Sequence, residues 1–143
     1  MFNIASSYNF SRVVLTVGGY PIGGYGDDGG VSIDYAGDDA TMTQGADGEV
    51  VINQLPSQPA TVTVTLKEVS KSNAILAGLR DIQRALPVGY VLPFLLLDPS
   101  TGESLACAQC AFANRPNVSK TKEAGEREWH LLIPHPVYVG ATL

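Results

Sequence analysis

Six residues near the middle of the chain constrain its fold most. From Thr61 to Leu66 the side chains alternate without a break. Val62, Val64 and Leu66 fall on one side and Thr61, Thr63 and Thr65 on the other. A strand turns successive side chains to opposite faces, so this run predicts a β-strand with one apolar face and one polar, uncharged face. A second β-type run, residues 49–55, precedes it across Pro56-Ser57-Gln58-Pro59. That gap is rich in turn formers, so the expectation is a β-hairpin over residues 45–66.

The flanking segments extend a mostly β pattern. Residues 12–17 (RVVLTV) and 31–35 (VSIDY) read as strands, with the glycine-rich residues 18–30 as loop or irregular edge between them. Residues 36–39 read as a turn, and 40–44 as a segment able to pair back. Residues 70–86 carry the one helical pattern. Ile75, Leu76, Leu79, Ile82 and Leu86 share a face, with Asn73, Arg80, Asp81 and Arg84 opposite. Ser70 or Ser72 caps its start, and Pro87 with Gly89 ends it. Residues 90–97 read as a buried strand, placed near an edge or bulge by Pro93. Residues 103–113 and 127–133 read as two more strands, the last alternating Trp129, Leu131 and Ile133 against His130 and Leu132. Residues 1–11 read as an N-terminal arm and 134–143 as an irregular tail.

This pattern predicts one domain over residues 1–143, mainly β in an α+β sense: a two-sheet sandwich or barrel with one flanking helix. Charged residues make up only 16% of the chain, below the usual share of about 25%, which suits a protein with extra surface to bury. The net charge of −5 argues against non-specific affinity for nucleic acid. No Lys or Arg occurs between Arg12 and Lys67, while seven of the fourteen acids lie between Asp27 and Glu49. No apolar run approaches the roughly 20 residues that cross a bilayer, and the N-terminus lacks a signal-peptide pattern. The expectation is a cytoplasmically made protein with reduced cysteines.

The motifs that resemble chemistry fail on context. Gly24-Tyr25-Gly26-Asp27-Asp28-Gly29 fits G-x-G-x-x-G, but it leads into a predicted strand, and its two aspartates repel phosphate. Residues 38–49 have the length of a calcium-binding loop, yet Ala40 and Met42 stand where oxygen ligands belong. Asp27, Asp28, Asp38 and Asp39 read as solvated acids rather than a metal site. Cys107 and Cys110 form one C-x-x-C without a second pair, outside any strand–helix–strand context, and read as small core residues. Neither His130 nor His135 has a nucleophile placed to serve it. No catalytic residue, cofactor or metal is expected. The basic loop of Arg115, Lys120 and Lys122 lacks the interleaved aromatics of a single-strand binder.

The order of several short landmarks carries a resemblance. Gly45-Ala46-Asp47-Gly48-Glu49-Val50 is followed by the Thr/Val strand and a helix opening with Ser70, Ser72 and Asn73. The apolar run after Pro87, Asp98 with Gly102, and Arg127-Glu128-Trp129 complete the series. Over residues 12–133 this resembles the tail tube proteins of long-tailed bacteriophages, especially a small family from contractile-tailed phages. The chain departs from that family after Gly48-Glu49-Val50, where Val51-Ile52-Asn53-Gln54 brings no basic residue. The resemblance implies a non-enzymatic virion protein, assembled in the host cytoplasm. Rings of six would stack into a hollow tube inside a contractile sheath. Its partners would be that sheath, the baseplate and the tail-terminator protein, with the tape measure protein and DNA passing through the lumen. On that frame Thr61, Thr63 and Thr65 are lumen-facing candidates, and Tyr35, Ala36, Gly37, Asp38 and Asp39 are the tip of a ring-stacking loop. Arg80, Asp81 and Arg84 are sheath-facing candidates. Two other readings fit the residues: an Hcp-type secretion tube, and a monomeric β-barrel whose Tyr20, Tyr25, Tyr35 and Trp129 line a site for an apolar ligand or a sugar.

Overall fold

The computed structural model describes residues 12–26, 30–55, 59–85 and 92–140. In chain order the strands are β1 (Val14–Val17), β2 (Tyr20–Pro21), β3 (Val31–Tyr35), β4 (Ala40–Gln44), β5 (Val50–Gln54) and β6 (Ala60–Lys67). Helix α1 (Ser72–Ala85) follows. Then come β7 (Phe94–Asp98), β8 (Glu103–Cys107), β9 (Ala111–Phe112), β10 (Glu126–Ile133) and β11 (Val137–Val139). One antiparallel sheet runs β11-β8-β7-β1-β2 and a second runs β3-β6-β10-β9, while β4 and β5 form a separate ribbon. The two larger sheets face each other as a sandwich, and the described strands do not close into a barrel.

Strand β6 sits in the middle of the four-stranded sheet. It pairs with β3 along its whole first half and with β10 from Ala60 to Lys67. Its Val62, Val64 and Leu66 are 0% exposed. At about 1.5–3 kcal/mol for each fully buried aliphatic side chain, this one strand is a major source of core stability. The pairing corrects the expected hairpin: β5 pairs with β4, from Gln44 opposite Val50 to Ala40 opposite Gln54, and not with β6. Leu15, Val17, Phe94, Leu105 and Cys107 come from the facing sheet to meet Val62, Val64, Leu66, Trp129, Leu131 and Ile133.

Helix α1 packs Leu76 and Leu79 into this core. Two expectations about its faces are corrected. Ile82, placed on the apolar stripe, is 45% exposed. Asn73, placed on the solvent side, is buried at the first turn. Its Nδ2 donates to the carbonyls of Lys67 and Glu68 at 2.8 and 3.2 Å, and its Oδ1 accepts from the Trp129 indole at 2.9 Å. One side chain thus satisfies the end of β6 and the buried Trp129 together, which a buried polar group requires. Ser70 Oγ accepts from the Ser72 N–H and donates to the Gly23 carbonyl, while Ser72 Oγ accepts from the Gly23 N–H. The serines therefore clip the glycine-rich loop to the helix start. Gly24 permits this: its φ is +76°, and a Cβ there would lie 2.3 Å from Ser70 Oγ.

Three further expectations change. The strand expected over 103–113 is broken after Cys107, and β9 joins the opposite sheet from β8. That break turns both cysteines inward, buried and unpaired, although an unbroken strand would have separated them. Pro93 lies just ahead of β7, an interior strand, where its carbonyl accepts from the Gly18 N–H. Within the tail expected to be irregular, Val137–Val139 pairs with β8. Leu86, Pro87 and Gly89 at the helix end, Asp27 and Asp28 of the acid cluster, and the arm 1–11 lie outside the described residues.

Candidate assembly interface

The ribbon of β4 and β5 is built differently from the rest of the molecule. All ten of its strand residues are exposed, and its ladder bonds run only within itself. The register puts Ala40, Met42, Gln44, Val50, Ile52 and Gln54 on one face, and Thr41, Thr43, Val51 and Asn53 on the other. Met42 is 73% exposed and Ile52 64%, with Val50 beside them. The hairpin has one mainly apolar face, and all of its strand residues are exposed on both faces. A lone two-stranded hairpin is marginal in water, so an apolar face of this kind asks for a partner.

Its turn explains the first landmark. The Gly48 N–H donates to the Gly45 carbonyl and the Gly45 N–H to the Glu49 carbonyl, while Asp47 Oδ1 accepts from the Glu49 N–H. Gly48 has φ +86°, the left-handed residue that completes a type I turn with a bulge. The tip is therefore residues 45–49. Tyr35, Ala36, Gly37, Asp38 and Asp39, expected as the tip, lie at the root, where the Ala36 N–H bonds to the Pro59 carbonyl and the Leu55 N–H to the Asp39 carbonyl. The dipeptide Asp47-Gly48 between two β-type runs was the signal for this tip.

The two outer faces of the sandwich contrast. Outside the four-stranded sheet, Thr61, Thr63 and Thr65 form a half-buried row opposite the strand's apolar face. Asp34 and Ser32 flank them on β3, and Leu132, His130 and Glu128 on β10. Thr63 Oγ1 lies 3.2 Å from His130 Nδ1, and Lys67 ends the row opposite Glu126. Outside the five-stranded sheet, Val14 and Leu97 stand in line with Ser104 and Val139, and Thr16 and Leu95 with Ala106 and Val137. Val14, Leu95, Leu97, Val137 and Val139 are all exposed, giving an apolar outer surface.

The other expected contacts are scattered. Asp81 and Arg84 are exposed, but the Arg80 side chain is only 14% exposed and points its Nη1 to within 3.4 Å of Asp81. Trp129 is 2% exposed and bonded to Asn73, so it cannot line an open ligand site with Tyr20, Tyr25 and Tyr35. No group of metal-ligating side chains gathers among the described residues. Burial pushes the Cys110 thiol up to about 12, with the Cys107 sulfur adding to the shift, which makes it a poor nucleophile. Within the basic loop, Lys120 is committed to Glu68, which also accepts from the Gly125 N–H and lies near Arg127. Those contacts, the Lys120 bond foremost, hold Glu68 below the usual carboxylate range.

The described residues thus form a β-sandwich with one edge helix, a serine–asparagine clasp at the helix start and a projecting two-stranded hairpin. The chain belongs to the family described as bacteriophage PhiTE tail tube protein, matching it over residues 5–135. Solved structures share the fold at low identity. A tube-terminating cap of the anti-feeding prophage is 12% identical with a TM-score of 0.61, over 99% of this chain and 96% of that one. The sheath/tube terminator of the extracellular contractile injection system PVC is 11% identical with a TM-score of 0.63, over 96% and 100%. A chain of the PVC sheath–tube complex is 13% identical with a TM-score of 0.59, over 94% and 93%. No curated protein sequence matches the chain. The family and these structures are structural tail or injection-system components rather than enzymes.

Proposed function

We propose that this chain is the building block of a phage tail tube: six copies close into a ring, and rings stack into a conduit for DNA within a contractile sheath. The observation that carries the reading is the β4–β5 hairpin, whose Met42, Val50 and Ile52 face solvent. Its occupant on this reading is a second copy of the chain, which offers a matching apolar surface at Val14, Leu95, Leu97, Val137 and Val139. Charge is compatible with head-to-tail contact: residues 13–66 hold seven acids and no Lys or Arg, while residues 67–143 hold eight bases against seven acids.

The threonine row of β6 faces the lumen in this arrangement. Flanked by Asp34 and Glu128, it offers DNA a hydrated wall without a run of cations. Six copies add about −30 of formal charge, which discourages a polyanion from sticking. Asp81 and Arg84, with Arg80 behind them, face the sheath, and the root residues Tyr35 to Asp39 support the stacking arm. The baseplate, tail-terminator and tape measure proteins are the remaining partners of such a tube. The likeness to two terminator structures favours a second reading, a capping ring at the end of a tube.

Sedimentation and negative-stain microscopy of the purified chain test both. Stacked tubes support the first reading, single rings that do not stack support the second, and a stable monomer at all concentrations overturns both. Ile52→Asp should keep the fold and abolish stacking. A ring structure with Thr61, Thr63 and Thr65 on its outer surface would refute the lumen assignment.

A further inference from the structure

The four-stranded sheet has two edges, and they are treated differently. At β9, Ala113 bonds back to His130 of β10, so the Cys110 carbonyl and the Phe112 N–H point away from the sheet. Both are taken by one side chain from the helix. Gln83 Nε2 donates to the Cys110 carbonyl at 2.9 Å, and the Phe112 N–H donates to Gln83 Oε1 at 3.0 Å. A primary amide has the donor and acceptor of a peptide group, so Gln83 occupies this edge as one residue of a neighbouring strand would. Among the described residues, no side chain guards the opposite edge in this way. On β3, Gly30 and Ala36 bond toward β6 and its neighbours, which leaves the backbone groups of Val31, Ile33 and Tyr35 directed outward. Beside Gln83 lies an open groove of about 910 Å³, lined by Ala111, Leu132, Pro134 and Thr61 among others.

We propose that Gln83 is a releasable stopper: it blocks strand addition at β9 in the free subunit, and it leaves when the β3 edge of a second copy enters the groove and takes over the Cys110 carbonyl and Phe112 N–H. The exchange conserves hydrogen bonds at the edge, so assembly waits on a neighbour rather than on an unsatisfied backbone. This rests on the tube reading. A single glutamine holding the edge lets free subunits stay apart at low concentration and still join in a ring.

The test uses the full chain and the variants Gln83→Met and Gln83→Asn. The first removes both hydrogen bonds, and the second withdraws the amide by one methylene. Amide hydrogen exchange is read at Phe112 before assembly, and the critical concentration for rings is read by sedimentation at fixed salt. The stopper predicts a protected Phe112 amide in the wild type and at least about ten-fold faster exchange in either folded variant. It predicts a critical concentration about ten-fold lower in the variants, since a pre-existing contact no longer competes. Rapid Phe112 exchange in the unassembled wild type overturns it without recourse to any variant. Rings in all three proteins at one threshold, or at a higher threshold in the folded variants, overturn the stopper alone. Absence of rings in all three overturns the tube reading, and this inference with it.

Discussion

Strand β6 and the β4–β5 hairpin are written in the same style and end in opposite places. Each has one mainly apolar face, although Val50, Val51 and Ile52 of β5 run together and break strict alternation. In β6 the apolar face is sealed under the facing sheet, while in the hairpin Met42 and Ile52 stand in water. Alternation declares that a strand has a face to hide; it does not declare what hides it. For β6 the cover is the same chain. For the hairpin, on the proposed function, it is another copy.

The sharpest way to break this comparison is to put a charge at matching places. Val64→Asp buries an unpaired carboxylate in the centre of the core and should cost about 4 kcal/mol or more, seen as loss of a cooperative melt. Ile52→Asp should change unfolding stability by no more than about 0.5 kcal/mol, because Ile52 is 64% exposed and stands opposite Met42, which is exposed as well. Equal losses in the two would show that the hairpin belongs to the subunit's own core. A middle-sized effect is expected at Asn73→Ala, which orphans the Trp129 indole N–H and the carbonyls that Asn73 serves at the end of β6. About 2–3 kcal/mol should be lost in urea unfolding, whereas the same change at exposed Asn53 of the hairpin should be nearly silent. The smallest effect lies just beyond β6. The Glu68 carboxyl is held below its ordinary value, so its contribution is present above that value, 4.5, and fades as pH falls through the lowered one. Melting curves from pH 6 to 3 should show the advantage of wild type over Glu68→Gln shrinking in that window. An advantage that persists at pH 3 would contradict the clamp.

What was legible in the chain follows from range. The strands at 31–35, 61–66 and 127–133 and the helix show their own periodicity, and they stand where it puts them. The threonine face of β6 is legible for the same reason. The partner of Val50–Gln54 was not, because two turn signals flank it. Pro56 to Pro59 suggested one hairpin, yet the Asp47-Gly48 turn, with its left-handed glycine, makes the other. That misplacement also moved the expected tip to the root. Asn73 and Gln83 were harder still. On a helical wheel they are ordinary polar positions, and their roles come from Trp129 and from the edge of β9, 56 and 29 residues further along the chain. No local pattern encodes a hydrogen bond made across that distance.

The hairpin also sets a direction. It projects from one place on the subunit, and the apolar sheet face proposed to receive it is a different surface, so the contact is not self-complementary. On the proposed function, repetition of such a contact would give a polar filament whose two ends are chemically unlike: one would show unfilled arms, the other unfilled faces. Growth then starts from a base that supplies one kind of surface, and it stops only when a different protein matches the other. Length becomes a property of the machinery around the subunit rather than of the subunit itself.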